Sequence, residues 1–152
     1  MIGTELAAFL QEGVGIHIGT RNAALEPNGS RALAVKVEED GRHLVVYVAR
    51  VAAERLLPDL EANGQAAVGF GRPIDDRACQ VKGRFISTRP AKASERAEVE
   101  RQADNFCADL EGIGIPRALS SGSQIWPCAT IQMQATELFE QTPGPGAGEP
   151  LR

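Results

Sequence analysis

Apolar and polar residues alternate with a period of two through most of this chain, which predicts a protein built mainly of β-strands. Val14, Ile16, Ile18 and Thr20 fall on one face of a first strand, and Gly15, His17 and Gly19 on the other. Glycine at alternate positions bares a strip of backbone, against which either another segment or a ligand packs. The Glu26-Pro27-Asn28-Gly29 stretch predicts a turn. Two alternating runs, Ser30 to Val37 and His43 to Arg50, flank Asp40-Gly41 and predict a β-hairpin. Ala66 to Phe70 reads as a strand of small residues, and Arg72 to Asp76 as a turn. In the next strand, Cys79, Val81, Gly83, Phe85 and Ser87 share one face, and Gln80, Lys82, Arg84 and Ile86 the other. The last strand runs from about Ile125 to Phe139, with Ala129, Ile131, Met133 and Ala135 on its apolar side.

Helical spacing interrupts this pattern in three places. Thr4 is placed to cap a short helix carrying Leu6, Phe9 and Leu10, which stops near Gly13. Val51 to Leu57 reads as a short helix, with Pro58 opening a further turn that Asn63-Gly64 closes. Ser94 to Leu110 is the clearest helix, striped by Val99, Ala103, Phe106, Cys107 and Leu110, with Ser94 as its cap. Ile115 to Ser123 reads as a loop. The fold class that follows is mainly β with helical additions: a small six-stranded antiparallel barrel with one prominent helix in its C-terminal half. Residues 1–141 form one domain, and the Pro- and Gly-rich tail, 142–152, is expected to be extended or mobile.

Charge and cysteine usage narrow the function. A formal net charge of −4 argues against sequence-independent nucleic-acid binding, which needs massed Lys and Arg. No run approaches the ~18 apolar residues of a membrane span, so a soluble, cytoplasmic protein is expected. Cys79, Cys107 and Cys128 are far apart and odd in number, which supports buried thiols over a disulfide framework or a zinc site. No Ser/His/Asp or Cys/His constellation stands out for nucleophilic catalysis, so no catalytic residue is assigned.

Arg31, Lys36 and Arg50 are the first sign of an anionic ligand. An Arg fork and a Lys point charge suit a phosphate, and amides at a helix start near Arg50 would add to the attraction. A solvated strand face explains the same cations without a ligand. Residues five apart lie on opposite faces of a regular strand, so Arg31 and Lys36 share a ligand only if the strand is bulged or Arg31 curls round its end.

The chain resembles the pyridoxamine 5′-phosphate oxidase-like, FMN-binding split β-barrel family over roughly Leu6 to Gln141. Arg31-Ala-Leu-Ala-Val-Lys36 is similar to that family's Arg-x-x-x-x-Lys, which holds the flavin phosphate. Asp76 to Gly83 is similar to the stretch crossing near the isoalloxazine ring, and Glu137-Leu-Phe-Glu-Gln141 to the closing Glu-Phe-Trp-Gln. The order of elements also matches. The resemblance implies an FMN-dependent oxidoreductase and a homodimer with FMN in the groove between subunits. It places Arg31, Lys36 and Arg50 at the phosphate, Tyr47 and Val48 along the ribityl chain, and Gln80 and Lys82 at the ring, with Trp126 and Phe139 against the flavin. Structural readings stand beside these: Tyr47, Val48 and Trp126 as core or interface residues, Gln80 and Lys82 as outer-face residues, His17 as a structural histidine. The basic loop and C-terminal Arg–His region that bind pyridoxamine phosphate have no counterpart, and the family's ring-binding Gln falls on Ala78. Rival readings are a non-catalytic carrier or sensor of flavin, deazaflavin or haem, and a dimeric barrel without a cofactor.

Overall fold

A computed structural model of the chain describes residues 1–121 and 126–151. Seven antiparallel strands form one sheet: β1 (Gly15–Arg21), β2 (Pro27–Ala32), β3 (Ala34–Val37), β4 (His43–Ala49), β5 (Gln65–Gly71), β6 (Ala78–Pro90) and β7 (Cys128–Glu140). Their spatial order is β2-β1-β5-β6-β7-β4-β3. The two outermost strands are consecutive in the chain, separated only by Leu33, so the bend there carries the backbone from β1 to β4 and closes the sheet into a split barrel. The seventh strand arises because the run expected as one hairpin strand, Ser30 to Val37, divides at Leu33 into β2 and β3. Ile125, expected to open the last strand, lies outside the described residues.

The interior is filled by the apolar side of each strand, including Ile16, Ile18, Val35, Leu44, Val46, Val48, Val68, Val81, Ile131 and Met133. Helix α1 (Thr4–Gln11) contributes Phe9 and Leu10 at one end of β4, where the Ile2 N–H donates to Gly41 O of the hairpin turn. Helix α2 (Arg50–Asn63) follows the other end of β4 and buries Ala52, Ala53, Leu56 and Leu60. It runs unbroken through Pro58, where two helical pieces were expected; burial of its apolar stripe on both sides of the proline outweighs the lost backbone donor. Gly64, at φ +67°, caps it as expected.

Three caps and turns differ from the sequence reading. Thr4 is the first helical residue, and Gly3 occupies the cap. Pro27, Asn28 and Gly29 belong to β2, because the turn closes earlier: the Leu25 N–H donates to Asn22 O, and the Glu26 N–H to Asn22 Oδ1. Ser94 lies inside a 3₁₀ turn, Ala93–Glu95, that leads into helix α3 (Arg96–Gly112). Glu95 supplies the acidic half of a capping box, its carboxylate accepting from the Lys92 N–H at 2.7 Å. A short helix α4 (Arg117–Ser120) occupies part of the predicted Ile115–Ser123 loop.

The tail turns back onto the barrel. The Gly148 N–H donates to Glu140 O and the Leu151 N–H to Leu138 O, and Leu151 packs against the core. No described helix is long and apolar enough to cross a membrane. All three cysteines are buried, and burial pushes the Cys79 thiol up to about 12.

Candidate functional site

The outer surface of the barrel has two regions of opposite character. The first covers β3, β4 and β7. Ala34, Val45, Tyr47 and Cys128 point outward there and are sealed by Val99 of α3, with Leu33, Ala91 and Trp126 packed around them. Gln102 of α3, 1% exposed, completes the edge of β3: its Oε1 accepts from the Val35 N–H at 3.0 Å and its Nε2 donates to Val35 O at 2.8 Å. Gln11 of α1 does the same for the Val37 N–H. Two glutamines thereby satisfy an edge strand that would otherwise offer open ladder positions.

Tyr47 belongs to this sealed region. Its hydroxyl donates to Glu95 Oε1 at 2.9 Å, while Arg89 holds both oxygens of the same carboxylate at 2.7 and 2.9 Å. Arg89, with further donors from Lys92 and Tyr47, pulls the Glu95 carboxyl down to about 2. Burial and the glutamate beside it raise the Tyr47 phenol above its ordinary value.

The second region, over β1, β5 and β6, is open. Cross-strand pairing sets out its outward residues as a grid. One row runs Arg31, His17, Gly69, Gln80, Phe139 across five strands. Gly29, Gly19, Ala67, Lys82 and Glu137 form the next row on one side, and Gly15, Gly71 and Ala78 the row on the other. The floor is almost bare backbone. Gly69 and Gly71 have no local need to be glycine, since a Cβ added at either meets no atom within 4 Å. Glycine weakens a strand relative to alanine, so its use here points to something that approaches the sheet from outside.

Two of the cations bordering this floor each lie over an aromatic ring. The Arg31 guanidinium lies 5.1 Å from the ring centre of Phe106, and Lys82 Nζ 4.8 Å from that of Phe139. Neither has a carboxylate partner among the described residues. Lys36 and Arg50 do: Lys36 Nζ holds Glu38 at 2.9 Å and Arg50 pairs with Glu54 at 3.5 Å.

The residues singled out in the sequence therefore divide. Arg31, Gln80, Lys82 and Phe139 come together on the open face. Lys36 lies on the outward side of β3, Tyr47 and Trp126 lie under and beside α3, and Arg50 opens α2. Val48 faces the barrel interior and is fully buried. The strand phase changes at Leu33: Ala32 and Val35 point inward, while the consecutive Leu33 and Ala34 both point outward. This extra outward residue puts Arg31 and Lys36 on the same side, meeting the condition that a regular strand would fail. Sequence reasoning passed over Gly69 and Gly71, whose signal was the same alternation of small residues already noted around His17. Among the described residues no cluster of three His, Cys, Asp or Glu could hold a metal ion.

No protein-family model matches the chain, and no curated protein does. Solved structures do match in fold. An F420 reductase aligns at TM-score 0.53 and 15% identity, over 86% of this chain and 93% of its own. A putative pyridoxamine 5′-phosphate oxidase from Lactobacillus delbrueckii aligns at 0.54 and 11%, over 90% and 93%. An FMN-binding protein from Syntrophomonas wolfei aligns at 0.51 and 12%, over 89% and 85%. The chain has the split-barrel fold of the pyridoxamine 5′-phosphate oxidase-like, flavin-binding proteins.

Proposed function

We propose that this chain binds FMN on the open face of its barrel and works as a flavin-dependent oxidoreductase, with a second copy of the chain closing over the cofactor. The observation that carries this reading is the glycine floor around Gly69 and Gly71, bare without a local steric reason and bordered by an Arg31 that has no carboxylate partner among the described residues. A planar ring suits such a floor. The flavin phosphate pairs with Arg31, the ring lies over Gly69 between His17 and Gln80, and Lys82 stands at the ring edge, where a cation stabilises charge on the reduced flavin. Likeness in fold to an F420 reductase and to an FMN-binding protein supports a flavin-type cofactor. When bound, the flavin supplies the hydride chemistry; the chain anchors the phosphate, orients the ring and excludes water. Bare strand surface of this extent also suits burial against a partner of the same sequence.

The visible spectrum of the purified protein, followed by titration with FMN, tests the reading. Flavin absorption or saturable FMN binding supports it; a colourless protein that leaves FMN unbound refutes it. Arg31→Ala should weaken FMN by about tenfold or more and leave riboflavin nearly unaffected, as loss of a charge-assisted phosphate contact requires. Bleaching by NADH or NADPH with reoxidation by an acceptor marks an enzyme, and binding without turnover marks a carrier or sensor.

A further inference from the structure

The open face has a basic end of which the flavin reading uses only Lys82, leaving Arg21 and Arg84 without a role. A cleft of about 510 Å³ lies there, lined by Arg21, Lys82 and Arg84, with Gln65, Thr20 and Thr136 as further polar groups and Glu137 as its one carboxylate. Its floor is Gly19, Ala66, Ala67 and Gly83, small enough to let a ligand reach the backbone. Lys82 and Arg84 are two apart on β6 and share the outward face; Arg21 ends β1, two residues beyond Gly19 on the same face.

The charges in this cleft are unspent. Elsewhere Arg72, Arg89, Arg101 and Arg117 each hold a carboxylate. Among the described residues Arg21, Lys82 and Arg84 hold none. Among those residues the Arg21 guanidinium donates only to Asn22 O at 3.2 Å, and that of Arg84 only to Asn63 O at 3.4 Å. Glu137 faces Lys82 across the β6–β7 ladder without forming an ion pair with it. Three cations against one carboxylate, in a protein whose net charge is −4, concentrate positive potential at one concave spot. Two guanidinium forks and an ammonium match the oxygens of a phosphate better than a single carboxylate. The volume suits a molecule larger than a free ion.

We infer that this cleft is a second anion site, which holds the phosphate group of a phosphorylated small molecule through Arg21, Lys82 and Arg84. It is separate from the Arg31 site: β2 and β6 are three strand spacings apart in the sheet, about 14 Å. The ligand held there would extend along the floor of the open face toward Ala67 and Gly19. The anion site itself does not depend on the flavin reading.

Calorimetric titration of the full chain with inorganic pyrophosphate at low ionic strength, with and without FMN, tests this. One saturable site is expected. The double variant Arg21→Ala/Arg84→Ala should weaken it about ten- to a hundredfold, Arg21→Lys/Arg84→Lys should weaken it less, and Arg31→Ala should leave it unchanged. Because both guanidinium groups donate only to single backbone carbonyls, the double variant should melt with the wild type; if it does not, the lysine pair alone decides. Absent binding, unchanged binding in the double variant, or equal loss in Arg31→Ala overturns the site. So does competition by FMN whose preference over riboflavin disappears with Arg21 and Arg84, because the cleft would then hold the flavin's own phosphate. A double variant that sediments as a smaller species also overturns it, since carboxylates of a second copy would then be what the cleft receives. Loss of FMN with pyrophosphate binding intact breaks only the flavin reading, and the reverse breaks only this one.

Discussion

The two outer regions of the barrel belong to one sheet and one side of that sheet, yet the chain treats them oppositely. Over β3, β4 and β7 it brings its own covering: Val99 seals the apolar patch, Gln102 fills the ladder of the edge strand, and Glu95 ties the start of α3 to Tyr47 and Arg89. Over β1, β5 and β6 it lays glycine and alanine and brings no cover. The contrast teaches how to tell a structural glycine from a functional one. Gly83 lies on the closed side of its strand, where a Cβ would stand 2.2 Å from Gln134 O and 2.6 Å from Met133 Cε, so the fold itself demands glycine. Gly69 is demanded by nothing among the described residues.

Substitutions can break or sharpen this contrast. The largest effect is expected from Gly83→Ala, which forces backbone apart between two fully paired strands and should cost roughly 3–4 kcal/mol in a denaturant unfolding experiment. Gln102→Leu should follow at about 2–3 kcal/mol, because the Val35 N–H and C=O lose their partner in a dry place. Unfolding of that variant with wild-type stability would mean that α3 is not what completes the β3 edge.

Glu95→Gln should cost about 1–2 kcal/mol through the weakened contact to Arg89. The same residue sets an acid dependence. Its carboxyl is depressed to about 2 in the fold, so its contribution is fully present above the ordinary carboxylate value and is lost as pH falls from there toward 2. The melting temperature should therefore drop more steeply over that window in the wild type than in Glu95→Gln. Parallel curves would show that the network adds nothing to stability.

Gly69→Ala should have the smallest effect on folding, within about 1 kcal/mol and toward greater stability, since the strand gains a better former and meets no clash. Bulkier Gly69→Val should leave the melt similar while weakening FMN in the spectral titration. If it melts far below the wild type, the open face is not open, and the distinction between the two regions falls.

Much of this architecture was legible in the residues. Alternation located the strands, Asp40-Gly41 located the hairpin turn, with Gly41 at φ +61°, and the small residues around His17 marked a face without side chains. Gln102 was not legible as a buried group, because helical periodicity sorts residues by polarity, and a glutamine that serves an edge strand 67 positions away looks like a solvated one. Pro58 was read as a break because local backbone chemistry opposes it, while the packing that overrides that cost is spread over Leu56 and Leu60 on the barrel end.

What the sequence determined by itself is local: which residues alternate, where glycine permits a turn, and that Arg31 and Lys36 stand five positions apart in one alternating run. Only the tertiary structure decided sides and partners. A period of two defines two faces without saying which is inward, and the change of phase at Leu33, where the strand passes from β1 to β4, is needed only because the sheet closes on itself. Pairing of β2 with β1 sets Arg31 on the same open face as Gly69, Gln80 and Lys82, while the closed barrel leaves Tyr47 beneath α3 and turns Val48 into the core. Side-chain direction along a strand is a local property, but burial depends on what the rest of the chain lays over it.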